Sequence, residues 1–173
     1  EQALAAGALG ELITGQVEAL RELGPVRHVK PHGALYNLAA RDRAAAEVIA
    51  AAVYECDRAL ILFGLAGSEL VAAGRARGLR VASEVFADRT YQADGSLTPR
   101  TRADALIADE NVAVAQVLRM VREGVVRATD GTEVQIVADT VCLHGDGAHA
   151  VEFARRLNAE LRAAGILIQT FGS

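Results

Sequence analysis

The chain has 173 residues, of which 51% are apolar and only 4% aromatic, and a formal net charge of −4. That length supports a single domain with a sizeable aliphatic core, of helix-rich α/β type. Acids and bases are interspersed without a basic stripe, and no apolar run approaches the roughly 20 residues of a membrane span, so neither nucleic acid nor a membrane is an expected partner.

The opening "EQALAAGALGEL" has no basic n-region of a secretion signal, and a cytoplasmic protein is expected. Leu9, Leu12, Ile13, Val17 and Leu20 recur at helical spacing, predicting a helix to about Arg21 that "ELGP" stops. A short strand follows over Val26 to Lys30, ended by Pro31, with a turn at Gly33. A second helix is predicted from about Asn37 to Tyr54. "ALILF" (59–63) is a continuous apolar run, as expected of a parallel strand buried on both faces.

"GLAGSEL" then turns into a helix from Ser68, a suitable N-cap, which closes at Gly78. Arg80 to Phe86 reads as the next strand, with Glu84 alternating among apolar neighbours. Ala87 to about Arg102 forms a long connection with a turn at Asp94-Gly95; connections this long are uncommon and are functional or disordered. A helix over about Asn111 to Glu123, a hairpin around Asp130-Gly131, a strand in "DTVCLHGD" and a helix over about His149 to Ala164 complete the order, with "GILIQTF" as a last strand or tail. Strand–helix alternation of this kind means a mainly parallel sheet, barrel or open, whose function gathers at the strand C-terminal ends.

Those ends hold the ionisable residues. Of the 18 basic residues only Lys30 is a lysine, and it stands after the first strand with His32 and Tyr36 close behind. Glu84, Asp88, Arg89 and Tyr91 follow the third strand, Arg100 the long connection, and His144 and Asp146 the last strand. Their expected convergence on one rim points to an active site. Each also has a plainer reading: a surface lysine, polar turn histidines, an edge-strand glutamate, an Asp88–Arg89 pair within the loop, and a helix-start aspartate at 146. His28, His149 and Tyr54 are expected to be structural, and Cys56 and Cys142 buried free thiols. His32 and His144 could share a metal with a carboxylate, but no third ligand has diagnostic spacing, so the metal state stays open. No Walker, G-x-S-x-G or H-E-x-x-H sequence occurs, and "GLAGSEL" is a weak anion motif.

Taken in order, "VKPHGALYN", "GLAGSEL", "EVFADRTYQADGSLTPR" and "TVCLHGDGAHAVEFARRL" resemble the LamB/YcsF family, the A subunit of bacterial ATP-dependent 5-oxoprolinase. The family's opening strand and its "GFHAGD" and "GAHP" turns have no counterpart, so the chain resembles the C-terminal part of a member. The resemblance implies an irregular, deacetylase-like (β/α) barrel of about seven strands, with only the later units present here. Its unpaired sheet edges would favour homo-oligomers. It also implies hydrolysis of 5-oxoproline to glutamate, with ATP as co-substrate handled through the partner B and C subunits.

In that scheme Lys30 and Arg100 hold a carboxylate or phosphate, and Glu84 or Asp88 acts as general base. His32 and His144 polarise the amide or protonate the leaving nitrogen. Tyr36 and Tyr91 line the pocket, with Arg89 and Asp146 as further substrate contacts. The alternatives are a metal-dependent, deacetylase-like hydrolase without ATP and a non-catalytic scaffold subunit.

Overall fold

The computed structural model describes residues 6–145 and 149–171. The chain divides into two compact units, 1–83 and 84–173, each taken by itself below.

The first unit contains α1 (Ala6–Leu23), β1 (His28–Val29), α2 (Gly33–Arg41), α3 (Arg43–Cys56), β2 (Ile61–Leu65), α4 (Glu69–Arg77) and the start of β3 (Arg80–Phe86). Leu9, Ile13 and Val17 lie one helical turn apart on α1 and bury one stripe. They share a core with Ile49 and Val53 of α3, Leu62 of β2 and Leu70 of α4. β1 and β2 are parallel, with His28 opposite Ile61 and Val29 opposite Leu62.

The single helix expected over residues 37–54 is two helices. Asp42 divides them: its N–H donates to the Leu38 carbonyl at 2.8 Å, while its Oδ1 accepts from Ala45 N at 2.9 Å. One side chain thus starts α3 where α2 stops. α1 runs two residues beyond Arg21, because Arg21 ties its last turn to the Cys56 carbonyl (3.0 Å) and to Asp57 (2.8 Å). β1 is shorter than expected, keeping only His28 and Val29 of the run 26–30. β2 instead runs on through Gly64, where the sequence suggested a strand end. A Cβ at Gly64 would stand 3.2–3.3 Å from Val71 and Leu70, so this glycine admits α4 to the strand rather than ending it. α4 has the expected caps, Ser68 Oγ accepting from Val71 N at 3.3 Å and Gly78 at φ +89°.

The second unit holds the end of β3, then α5 (Glu110–Glu123), β4 (Val125–Arg127), β5 (Glu133–Gln135), β6 (Thr140–Cys142) and α6 (Ala150–Ala163). β4 and β5 form the expected antiparallel hairpin. β3 and β6 run parallel, pairing Glu84 with Thr140, Val85 with Val141 and Phe86 with Cys142. The strand order is β1-β2-β3-β6, so the fold is α/β with a four-stranded parallel sheet in which β3 belongs to both units. Residues 164–171 form no strand; Gly165 turns the chain at φ +77° and Leu167 is exposed.

The long connection after β3 is ordered, not loose. Short antiparallel bridges join Arg89 to Leu106 and Tyr91 to Leu97, closing over the Asp94-Gly95 turn. There Gln92 N donates to the Ser96 carbonyl at 2.8 Å and Gly95 adopts φ +82°. Asp94 also accepts from Ser96 N at 2.9 Å, and these Ser96 hydrogen bonds hold its carboxyl below the usual range. The two cysteines are free as expected, but both are half-buried, not buried. Among the described residues no helix is long and apolar enough to cross a membrane.

Candidate functional site

In the second unit the end of β3 and the residues after β6 are neighbours because the two strands pair in parallel. Their C-terminal ends therefore emerge side by side, which places Asp88 and His144 together across 56 residues of sequence. His144 Nδ1 lies 2.8 Å from Asp88 Oδ2 and 3.0 Å from Oδ1, and the His144 backbone N–H donates to the same carboxylate at 3.4 Å. An ionised carboxylate only accepts, so Nδ1 carries the proton, and Nε2 makes no hydrogen bond among the described residues. The imidazole also stacks on Phe86, with centroids 5.7 Å apart. The side chains of His144 and Asp88 keep 26% and 19% of their exposure, so a reactant can reach the pair.

Asp88 thus pairs with His144 and not with its neighbour Arg89. Arg89 is buried and turned into the loop, donating from Nε to the Ala105 carbonyl at 3.2 Å and from Nη2 to the Thr98 carbonyl at 2.5 Å. Burial, reinforced by Arg100, pulls its pKa below the usual arginine value. Arg100 itself is exposed.

Tyr91 is wholly buried, and its hydroxyl accepts the Phe86 N–H at 2.8 Å. Burial raises its phenol well above 10.0, and the nearby Glu84 charge pushes the same way. Tyr91 therefore braces the strand end that carries Asp88. Glu84 is 3% exposed, which places it in the interior and not on an edge strand facing water. Its neighbour Ser83 is equally buried, so β3 is covered on both faces.

Two contributors carried little signal in the sequence. Gln116 of α5 donates from Nε2 to the Phe86 carbonyl at 3.2 Å and the Arg89 carbonyl at 3.0 Å, clamping the backbone on both sides of Asp88. A lone amide within the apolar stripe of α5 was its only cue. Thr98 is fully buried with no hydrogen-bond partner for its hydroxyl, while its carbonyl serves Arg89.

In the first unit, Lys30 follows β1 half-buried, its Nζ 5.7 Å from the ring centre of the buried Tyr36. His32 is the exposed N-cap residue of α2 and makes no side-chain cap. His28 is exposed with its ring 4.8 Å from Phe63, and Tyr54 lies against Arg58 and Arg77. Asp146 lies outside the described residues. Among the described residues no three His, Cys, Asp or Glu side chains are grouped to hold a metal. The chemistry this geometry offers is proton transfer by a histidine oriented through a carboxylate.

Comparison with known proteins gives this pair a setting. The chain matches the LamB/YcsF family over residues 2–173. It is 62% identical over 148 residues to the A subunit of 5-oxoprolinase from Bacillus licheniformis, covering 86% of this chain and 58% of that protein. To the protein of the same name in Shouchella clausii it is 58% identical over 164 residues, covering 92% of this chain and 65% of the relative. The chain therefore spans less than two thirds of the length of these relatives. The crystal structure of the lactam utilization protein from Thermus thermophilus superposes with a TM-score of 0.88 at 41% identity, covering 99% of this chain and 70% of that one. The chain belongs to the LamB/YcsF family.

Proposed function

We propose that the chain is part of the A subunit of an ATP-dependent 5-oxoprolinase, a cytoplasmic enzyme that opens the lactam of 5-oxoproline to glutamate. The observation that carries this reading is its 62% and 58% identity to relatives named as the A subunit of 5-oxoprolinase. The Asp88–His144 pair supplies a chemical reason to assign catalysis to this polypeptide. The complete fold is proposed to be the irregular, deacetylase-like (β/α) barrel of about seven strands, with this chain supplying its later units.

The lactam is an unstrained amide, so its opening is coupled to ATP. We assign that step to the partner B and C subunits, because "GLAGSEL" lacks the lysine of a Walker sequence. The partner subunits would transfer the γ-phosphoryl group of ATP to the lactam oxygen, releasing ADP. One water then adds to the activated ring carbon, the ring C–N bond breaks with the nitrogen leaving as an amine, and a second water releases phosphate from the resulting acyl phosphate. His144 Nε2 takes the proton from the attacking water and returns it to the leaving nitrogen. Asp88 holds the imidazole and stabilises the imidazolium. Lys30 and Arg100 are each assigned an anion-holding role; loss of turnover with intact folding in Lys30→Ala supports this, and full turnover removes Lys30 from the scheme.

The decisive test is glutamate release from 5-oxoproline and ATP by the full-length protein with its B and C subunits, omitting each in turn. Release that requires the A subunit supports the reading. If the A subunit is dispensable, a scaffold is favoured; turnover without ATP would favour a simple amide hydrolase.

A further inference from the structure

His144 is also part of the wall of a groove of about 590 Å³ in the second unit, formed with α6. Leu143, Ala150, Val151 and Ala154 give it apolar walls, and Arg155 and Asn158 are its other polar residues. The volume is within the range of small-ligand sites. Arg155 differs from its neighbour on the helix. Arg156 is tied to Glu110 at 3.2 Å and to Asn111 at 2.5 Å, whereas no described carboxylate pairs with Arg155. Asn158 Oδ1 accepts from Arg162 at 2.9 Å, which leaves its amide N–H groups free to donate.

We propose that this groove is the substrate's seat and that Arg155 binds the substrate's carboxylate, with Asn158 as a second donor. The inference rests on the lactam-opening reading and names the residue that would determine its specificity. A guanidinium matches a carboxylate with two parallel hydrogen bonds, and the apolar walls suit the methylenes of a small ring. With Nδ1 held by Asp88, the His144 nitrogen left for the reacting amide is Nε2. The site thus takes a small cyclic amide bearing one carboxylate, and discriminates against the same ring without it.

The test uses the full-length protein and two probes, 5-oxoproline and 2-pyrrolidinone, the second lacking the carboxylate. Their binding is measured by ligand-observed NMR titration, together with glutamate release by the complex with its partner subunits. Arg155→Ala is expected to weaken 5-oxoproline binding about 10- to 100-fold, the range of a charged hydrogen-bonded pair, and to leave 2-pyrrolidinone unchanged. Arg155→Lys should recover part of the loss, and KM should rise more than kcat falls. Unchanged 5-oxoproline binding in Arg155→Ala, equal weakening of both probes, or no binding of either to the wild type would overturn the assignment. If the wild type binds 5-oxoproline through Arg155 yet the complex releases no glutamate, the lactam-opening reading fails while the carboxylate site stands.

Discussion

Removing one oxygen tests how the Asp88–His144 pair is supported. Tyr91→Phe deletes the hydroxyl that accepts the Phe86 N–H at 2.8 Å, in a side chain with no exposed surface. Phe86 is itself buried, so water cannot replace the lost acceptor at little cost. A buried donor stripped of its partner costs about 1–3 kcal/mol, and the ring is otherwise preserved. For a chain of this size the middle of that range lowers Tm by roughly 4–8 °C. Urea unfolding followed by circular dichroism should show the midpoint falling with an unchanged slope.

The pH dependence has a definite sign. Burial raises the folded-state phenol above its ordinary 10.0, so the unfolded chain ionises first as pH rises. The stability Tyr91 contributes is complete below pH 10 and is lost as pH climbs from there through the folded value. Tyr91→Phe should therefore be less sensitive than the wild type on the alkaline side. A variant within about 0.3 kcal/mol of the wild type would refute the bracing argument. Lost turnover at unchanged stability would assign the hydroxyl to chemistry instead.

Asp88→Asn should lower glutamate release by the complex about 10²- to 10⁴-fold with little change in melting, because a partly exposed pair adds little to stability while orienting the imidazole is essential; turnover near the wild-type rate would detach the pair from the mechanism. Gly74→Ala places a Cβ 2.9 Å from both Leu62 and Val81, and overpacking of about 1–3 kcal/mol should outweigh the roughly 1 kcal/mol gained in helix propensity. Gly10→Ala, whose nearest neighbour is Val48 at 3.9 Å, should stabilise by about 0.5–1 kcal/mol; the two signs are compared in parallel urea titrations. Asp42→Ala should cost about 1 kcal/mol through loss of the α3 cap, and an unchanged urea midpoint would contradict it.

Local signals were legible wherever one residue's chemistry decides the backbone. Ser68 and Gly78 bound a helix in sequence and in structure because a cap and a left-handed terminus act within a few residues. Asp94-Gly95 and Asp130-Gly131 marked their turns for the same reason. Asp42 carried an equally local signal in "RDR", but the continuous apolar periodicity on either side concealed the break. Gly64 misled because its reason is tertiary: the glycine makes room for α4 rather than ending a strand.

The sequence by itself determined the alternation of strands and helices, the polar strand ends and the motifs that mark the family, since these depend on residues close along the chain. It named both Asp88 and His144 without joining them. Tertiary structure decided that Asp88 turns to His144 while Arg89 turns into the loop, because the parallel pairing of β3 and β6 brings their ends together across 56 residues. It also decided that Tyr91 braces Phe86 and that Arg155 and His144 line one groove. Which hydrogen-bonding group meets which depends on burial and strand register, and neither is encoded in any short stretch of residues.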